Sequence, residues 1–503
     1  MAASGPTGPE LRHGKDTMAI DPGLRRLALG TLLAAFPGRS APKWALNLLA
    51  DGLAGHTLFG ANIAEAAQVA TLTAELRAVR PGVLIAIDEE GGDVTRLAHR
   101  TGSPYPGNAA LGAVDDPDLT RAVYAAIGAD LVAAGINLDL APTVDVNTAD
   151  DNPVIGTRSF GADPVLVSRH ARAAVDGLQS AGVAACAKHF PGHGATVVDS
   201  HLELPVVDAP LSLLRERDLP PFAAAVAADS KAIMTAHIRL PGLTGDDPAT
   251  FSRRVLTDLL RGEYAFAGVI VTDALEMRGA AAAAGGIAPA AVRALAAGAD
   301  LLCVGAKVDR ELIDTIAAEI VAAVGDGRLP LSRLEDAYAR TAAMATWAAT
   351  PGTPPAHDEG LGLAAARRAV RVEGSLVELG SPLVVQLVAG SSIAEGKVPW
   401  GLAPHLDGTE QLEVVAAEAS PEAIADRAGS RPIVVVGRHT HRFPASRTLI
   451  ERLAAAHPVG VVEMGWPSRW RPANARAFVT THGASLANGR AAAEALGLTN
   501  PQG

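Results

Sequence analysis

Cysteine is nearly missing from this chain of 503 residues: there are two, Cys186 and Cys303, each inside an apolar run. Two thiols are too few for a cysteine-based zinc site or a disulfide framework, and both read as reduced core residues. Aromatic residues make up only 4%, no basic run or aromatic–basic stripe occurs, and the net charge is -11. A nucleic-acid partner is therefore not expected. No uncharged apolar run of 18 residues occurs either, because Arg293 and Asp300 break the Ala-rich stretch near 279–305. No membrane span is expected. Residues 1–17 are polar and rich in Gly and Pro, without the apolar centre of a signal peptide. These absences together lead to the expectation of a soluble cytoplasmic protein.

What is present is a chain 49% hydrophobic and 19% charged, enough for large cores, at a length that suggests two or more domains. From residue 28 to about 305, apolar strand-like runs alternate with helix-sized intervals. The runs are 29–36, 56–59, 83–88, 136–140, 183–188, 232–238, 268–273 and 300–304. Eight β/α units predict a (β/α)8 TIM barrel over 28–349, with a doubly wound open sheet as the rival. Polar residues favour the barrel, since they fall at the ends of successive runs: Asp88-Glu89-Glu90, Asp139 to Asp145, Lys188-His189, His237 and Asp273. In a barrel all strand C-termini meet on one face. A polar tail (1–27) precedes this unit. A Pro/Gly-rich linker (350–365) follows it, and then a smaller α/β sandwich domain (366–503). Strands of that domain are predicted at 383–388, 412–416, 432–436, 459–462 and 477–480. Its ionisable residues look scattered, and His439 and His441 read as loop residues rather than ligands.

The densest chemistry is the stretch Lys188-His189-Phe190-Pro191-Gly192-His193-Gly194, followed by Asp199-Ser200-His201. A carboxylate that accepts from one imidazole nitrogen fixes the tautomer and raises the basicity of the other, which makes His201, partnered by Asp199, a candidate general acid/base. Alone, Asp-X-His is also what an ordinary surface loop carries. Asp273 closes the run Val269-Ile270-Val271-Thr272, where it can be a covalent nucleophile or a helix N-cap.

Taken together, these stretches resemble glycoside hydrolase family 3, in its bacterial β-N-acetylglucosaminidase (NagZ-like) branch. The other carriers of the resemblance are Asp88-Glu89-Glu90-Gly91-Gly92-Asp93-Val94-Thr95-Arg96, Asn152-Pro153-Val154-Ile155-Gly156-Thr157-Arg158-Ser159-Phe160 and Met234-Thr235-Ala236-His237. The resemblance covers roughly residues 28–350. It implies a retaining two-step displacement, with Asp273 as nucleophile, His201 as acid/base and Asp199 as its orienting partner. It also implies that Asp88, Arg96, Arg158, Lys188 and His189 hold the terminal sugar. Glu89 and Glu90 become structural supports of the turn, and His193 and His237 can be structural or substrate-contacting. One departure stands out: the family usually has Arg after the two glycines, where this chain has Asp93, which reverses a charge near the mouth.

The activity expected from the resemblance is exo-acting release of terminal N-acetylglucosamine from cell-wall fragments or chitooligosaccharides. Phosphorolysis, with phosphate as acceptor, and a catalytically inactive sugar-binding protein stay open as alternatives. A β-glucosidase is disfavoured, because the Asp-Ser-His loop implies an acid/base in the barrel. No metal and no organic cofactor is implied; the partner is a small-molecule or oligosaccharide substrate.

Overall fold

The computed structural model describes residues 21–200, 202–350, 352 and 358–499. Most of the expected tail (1–20), part of the expected linker (351 and 353–357) and His201 lie outside the described residues.

Eight short strands run in chain order: β1 (Leu32–Ala34), β2 (Gly55–Leu58), β3 (Leu84–Ile87), β4 (Leu138–Asp139), β5 (Ala184–Phe190), β6 (Ala232–Thr235), β7 (Val269–Thr272) and β8 (Leu302–Cys303). Each lies within or overlaps one predicted run. They pair in parallel in the order β7-β6-β5-β4-β3-β2-β1-β8. A bridge between Val271 and Leu301, with a hydrogen bond from Thr272 N to Leu301 O (2.9 Å), joins the two ends. The ring is therefore a barrel, and the open-sheet rival falls, because an open sheet would leave both edges unpaired.

Side chains on a strand alternate between faces, and that alternation sorts the core. Leu84 and Ala86 of β3, Ala184 and Cys186 of β5, and Val269 and Val271 of β7 fill the barrel interior. Ile85 and Ile87, Ala185 and Ala187, and Ile270 point outward into the larger cluster beneath the helices. Each large aliphatic side chain so buried contributes about 1.5–3 kcal/mol. Helix Leu331–Ala348 covers the N-terminal end of the barrel, with Met344 and Ala348 packed into the interior cluster. Its Arg340 donates to Ala267 O (2.9 Å), and its Trp347 lies under Lys231. Several surrounding helices begin with Asp followed by Pro, as at Asp116–Pro117 and Asp163–Pro164, where the carboxylate accepts from a first-turn N–H. Proline there loses nothing, since that N–H has no helical partner.

A second sheet follows: β9 (Arg371–Gly374), β10 (Leu383–Leu387), β11 (Gln411–Val414), β12 (Ile433–Gly437), β13 (Val459–Glu463) and β14 (Ala477–Thr480), in the order β11-β10-β12-β13-β14-β9. Five of the six were expected. β9 was not: it is exposed along its whole length, so it carries no apolar signal, and it runs antiparallel to β14 at the sheet edge. The central strands are buried on both faces between two apolar clusters, hence the unbroken Ile433-Val434-Val435-Val436. Helix Pro22–Leu29 lies across the expected tail–barrel boundary. Helix Leu361–Ala369 crosses the expected linker–domain boundary and packs against both Asn108–Val114 of the barrel and Leu486–Ala495 of the second domain.

Candidate active site

Strand register carries the polar residues to one place. The inward series Leu84, Ala86 continues to Asp88; Ala184, Cys186 to Lys188; and Val269, Val271 to Asp273. All three line a cavity of about 360 Å³ at the C-terminal face of the barrel, together with Arg96, Arg158 and His189. Five residues expected to hold a sugar and the expected nucleophile thus share one cavity. Backbone turns there are tight. Gly92 has φ 62° and lies where an added Cβ would come 2.3 Å from Gly107 Cα, and a Cβ on Gly194 would come 1.9 Å from Val146 O.

The charges on the cavity floor are paired. Lys188 Nζ lies 2.9 Å from Asp88 Oδ1 and 2.7 Å from Glu90 Oε1, with the lysine side chain 2% exposed. Arg158 makes a two-pronged contact with Glu90, Nε to Oε2 at 2.9 Å and Nη2 to Oε1 at 2.7 Å. Burial pushes the Glu90 carboxyl up, but Arg158 and Lys188 outweigh it and hold it well below the ordinary value. Burial likewise opposes the charge on Lys188, and Asp88 and Glu90 more than offset it. Glu89 is the turn support expected of it, accepting from Arg96 N (2.8 Å) and Leu97 N (2.9 Å). Glu90 is more than that: it lines the cavity and holds both cations in place. Its role is invisible in one dimension, because Arg158 and Lys188 lie far along the chain.

Asp145 is a second residue the motif reading did not single out. Its Oδ2 accepts from His189 Nδ1 at 2.7 Å and its Oδ1 from His193 N at 2.6 Å. This turns the His189 Nε2 edge toward Arg158 Nη2, 3.5 Å away. The signal for Asp145 was its place in the polar cluster after the fourth run. His193 is buried, bonded through Nδ1 to Thr196 Oγ1 (2.7 Å) and through Nε2 to Ser200 Oγ (3.0 Å). Burial first, then the neighbouring His189, lowers it to about 4. Ser200 also lines the cavity, and its carbonyl lies near Gly279, six residues past Asp273. The half-buried Asp199 begins the turn closed by Leu202 N and Glu203 N, both donating to its carbonyl. The expected acid/base His201 lies outside the described residues, while its neighbours Ser200 and Leu202 lie inside them.

Asp273 is half-buried, and its Oδ1 accepts from Ala274 N at 2.7 Å. His237 is fully buried: Nε2 donates to Ala274 O (3.1 Å) and Nδ1 meets Thr250 Oγ1 (2.8 Å), so the ring braces the backbone just past Asp273. Cys303 also lines the cavity, and burial pushes its thiol up to about 12, leaving it protonated. Among the described residues no group of three or more His, Cys, Asp or Glu side chains is gathered to hold a metal ion.

Part of the cavity wall comes from the second domain. Residues 393–398, in the connection after β10, line it opposite the barrel. Arg96 reaches them, donating from Nη2 to Ala394 O (2.7 Å) and from Nη1 to Glu395 O (3.3 Å), and it lies 3.8 Å from Asp88. Asp93, the departure from the family pattern, belongs to the same contact. Its Oδ2 accepts from Thr157 Oγ1 (2.7 Å) and Arg438 Nη2 (3.1 Å), and its Oδ1 from Ala484 N (2.7 Å). An arginine at this position would face Arg438 across a buried site. The charge reversal is matched by a partner some 345 positions away.

Residues 33–344 match the family described as the glycosyl hydrolase family 3 N terminal domain. A β-hexosaminidase A of Pseudoalteromonas piscicida is 36% identical over 320 residues, covering 58% of this chain and 53% of the relative, so this chain spans about half of that protein. A β-hexosaminidase of Chromobacterium violaceum is 41% identical over 257 residues, covering 50% of this chain and 71% of the relative. Among solved structures, a glycoside hydrolase family 3 β-N-acetylglucosaminidase from Paenibacillus sp. str. FPU-7 superposes with a TM-score of 0.84 at 33% identity, covering 95% of this chain and 98% of that one. The chain therefore belongs to glycosyl hydrolase family 3, a family of glycoside hydrolases, on the side where its relatives are β-hexosaminidases.

Proposed function

We propose that this protein is a retaining, exo-acting β-N-acetylglucosaminidase that releases terminal N-acetylglucosamine from cell-wall fragments or chitooligosaccharides. The observation that supports it most is the single cavity shared by Asp273 and the charged set Asp88, Arg158, Lys188 and His189. Sugar hydroxyls need both donors and acceptors held in place. Asp88 supplies acceptor oxygens, and Lys188 and Arg158 supply donors already oriented by Glu90.

In the proposed reaction an Asp273 oxygen attacks the anomeric carbon while the bond to the leaving oxygen breaks. Protonated His201, oriented by Asp199, gives its proton to that oxygen. Neutral His201 then takes a proton from water, whose oxygen displaces Asp273 and restores the β configuration. Retaining glycosidases ordinarily do this with two carboxyl groups about 5 Å apart. An imidazole with an ordinary value of about 6.5 serves both halves of the reaction at neutral pH. The proton and the covalent bond are carried by side chains, so the scheme uses no cofactor.

The test is incubation with 4-nitrophenyl N-acetyl-β-glucosaminide, with and without phosphate, followed by mass spectrometry of the sugar. Free N-acetylglucosamine at a phosphate-independent rate is the expected result. Phosphate-stimulated N-acetylglucosamine 1-phosphate would make the protein a phosphorylase. No release in either buffer from folded protein would sink the glycosidase reading for this sugar.

A further inference from the structure

The second domain is joined to the cavity by a buried ionic contact. Arg438 follows β12, and its side chain is 7% exposed. Its Nη2 lies 3.1 Å from Asp93 Oδ2 of the barrel and 3.0 Å from Glu395 Oε1 of the cavity-lining segment. The guanidinium stacks over Trp400, 5.6 Å from the ring centroid. Glu395 is held from its own side as well: its Oε2 accepts from Ser392 N (3.2 Å), and its N–H meets Ser392 Oγ (3.3 Å). One arginine thus ties the loop to the barrel residue next to Gly92, while Arg96 takes the carbonyls of Ala394 and Glu395. Each buried carboxylate needs this cation, because an unpaired buried charge is strongly unfavourable.

We propose that Arg438 is the positioning residue that holds the cavity-lining residues 393–398 of the second domain against the barrel, so that this contact shapes the substrate site. Substrate affinity then depends in part on the second domain, whereas bond cleavage depends on the barrel alone. The inference rests on the reading of the cavity as the sugar site.

The experiment compares wild type with Arg438→Met, Arg438→Lys and Ile393→Trp. Hydrogen exchange of the 391–400 segment is read without substrate. Arg438→Met should expose the segment to faster exchange and Arg438→Lys should restore most of the protection; unchanged exchange in Arg438→Met overturns the positioning role. On 4-nitrophenyl N-acetyl-β-glucosaminide, Arg438→Met should raise KM about tenfold with kcat within about twofold of wild type. Ile393→Trp, at a position 58% exposed where folding tolerates the change, alters the wall directly and should raise KM about fivefold. Unchanged KM in both variants of an active enzyme overturns the wall. Should the wild type fail to turn over this sugar, the glycosidase reading fails by that result, and the exchange arm still decides what Arg438 does. Should Arg438→Met fail to fold, Arg438→Lys and Ile393→Trp decide by the same KM and exchange criteria.

Discussion

The two sides of the cavity are built in opposite ways. On the barrel side, Asp88, Lys188 and Asp273 arrive by strand register: each is the next inward position after a pair of apolar interior residues. On the other side, residues 393–398 belong to an irregular connection, oriented by Arg438, Arg96 and a single turn around Ser392. Register is rigid because slipping a strand by one residue would turn its whole apolar set to the wrong face. A loop held by an ion pair, two hydrogen bonds from Arg96 and a turn has no such guarantee. The comparison teaches that Asp273, Asp88 and Lys188 are placed by strand register, and that the wall facing them is left to side-chain contacts on a loop.

The sharpest way to break that contrast is at Asp273. If the barrel side carries the chemistry, Asp273→Ala lowers kcat by about 10⁴-fold or more while the melting temperature stays near that of wild type. His201→Ala should be slowed most on substrates with poor leaving groups, as a comparison of 4-nitrophenyl and chitobiose substrates would reveal. Near-normal turnover by Asp273→Ala would overturn the mechanism.

Glu90→Gln comes next and reads stability rather than rate. Removing the anion leaves Arg158 and Lys188 buried with too little countercharge, a loss of about 3–5 kcal/mol in urea unfolding. Loss of under about 1 kcal/mol would mean that the floor is less dependent on this pair than its burial implies. The carboxyl is held below the ordinary glutamate value of 4.5. Its stabilisation is therefore complete above that value and drains away as pH falls below it.

The smallest effect is a slope at His193, which is held at about 4 in the fold against 6.5 ordinarily. A depressed folded value means that the neutral ring's contribution is complete above pH 6.5 and is lost as pH falls toward 4, because the unfolded chain takes up the proton first. His193→Asn should flatten the wild-type stability curve in that window by at most ~1.4 kcal/mol per pH unit. Parallel curves for the two proteins would show that His193 does not titrate differently on folding.

Much of the barrel was legible because its signals are local. Short apolar runs bounded by glycine, and polar residues at their ends, are enough to mark eight strands and the face on which chemistry gathers. β9 was illegible because an exposed edge strand buries no side chain and so carries no apolar alternation. Glu90 was read as a turn support because its partners Arg158 and Lys188 are distant in the chain. Asp93 looked like an unexplained reversal for the same reason, its partner Arg438 being in another domain.

By itself, then, the sequence determined the strand periodicity and the order of the polar clusters, since these follow from residue type and near spacing. Only the tertiary structure decided which charges neutralise one another and that the second domain supplies residues 393–398 to the cavity. The physical reason is range. Apolar alternation is written between neighbours, whereas a buried ion pair depends on two side chains meeting in space, and nothing in the local run of residues encodes where its partner lies.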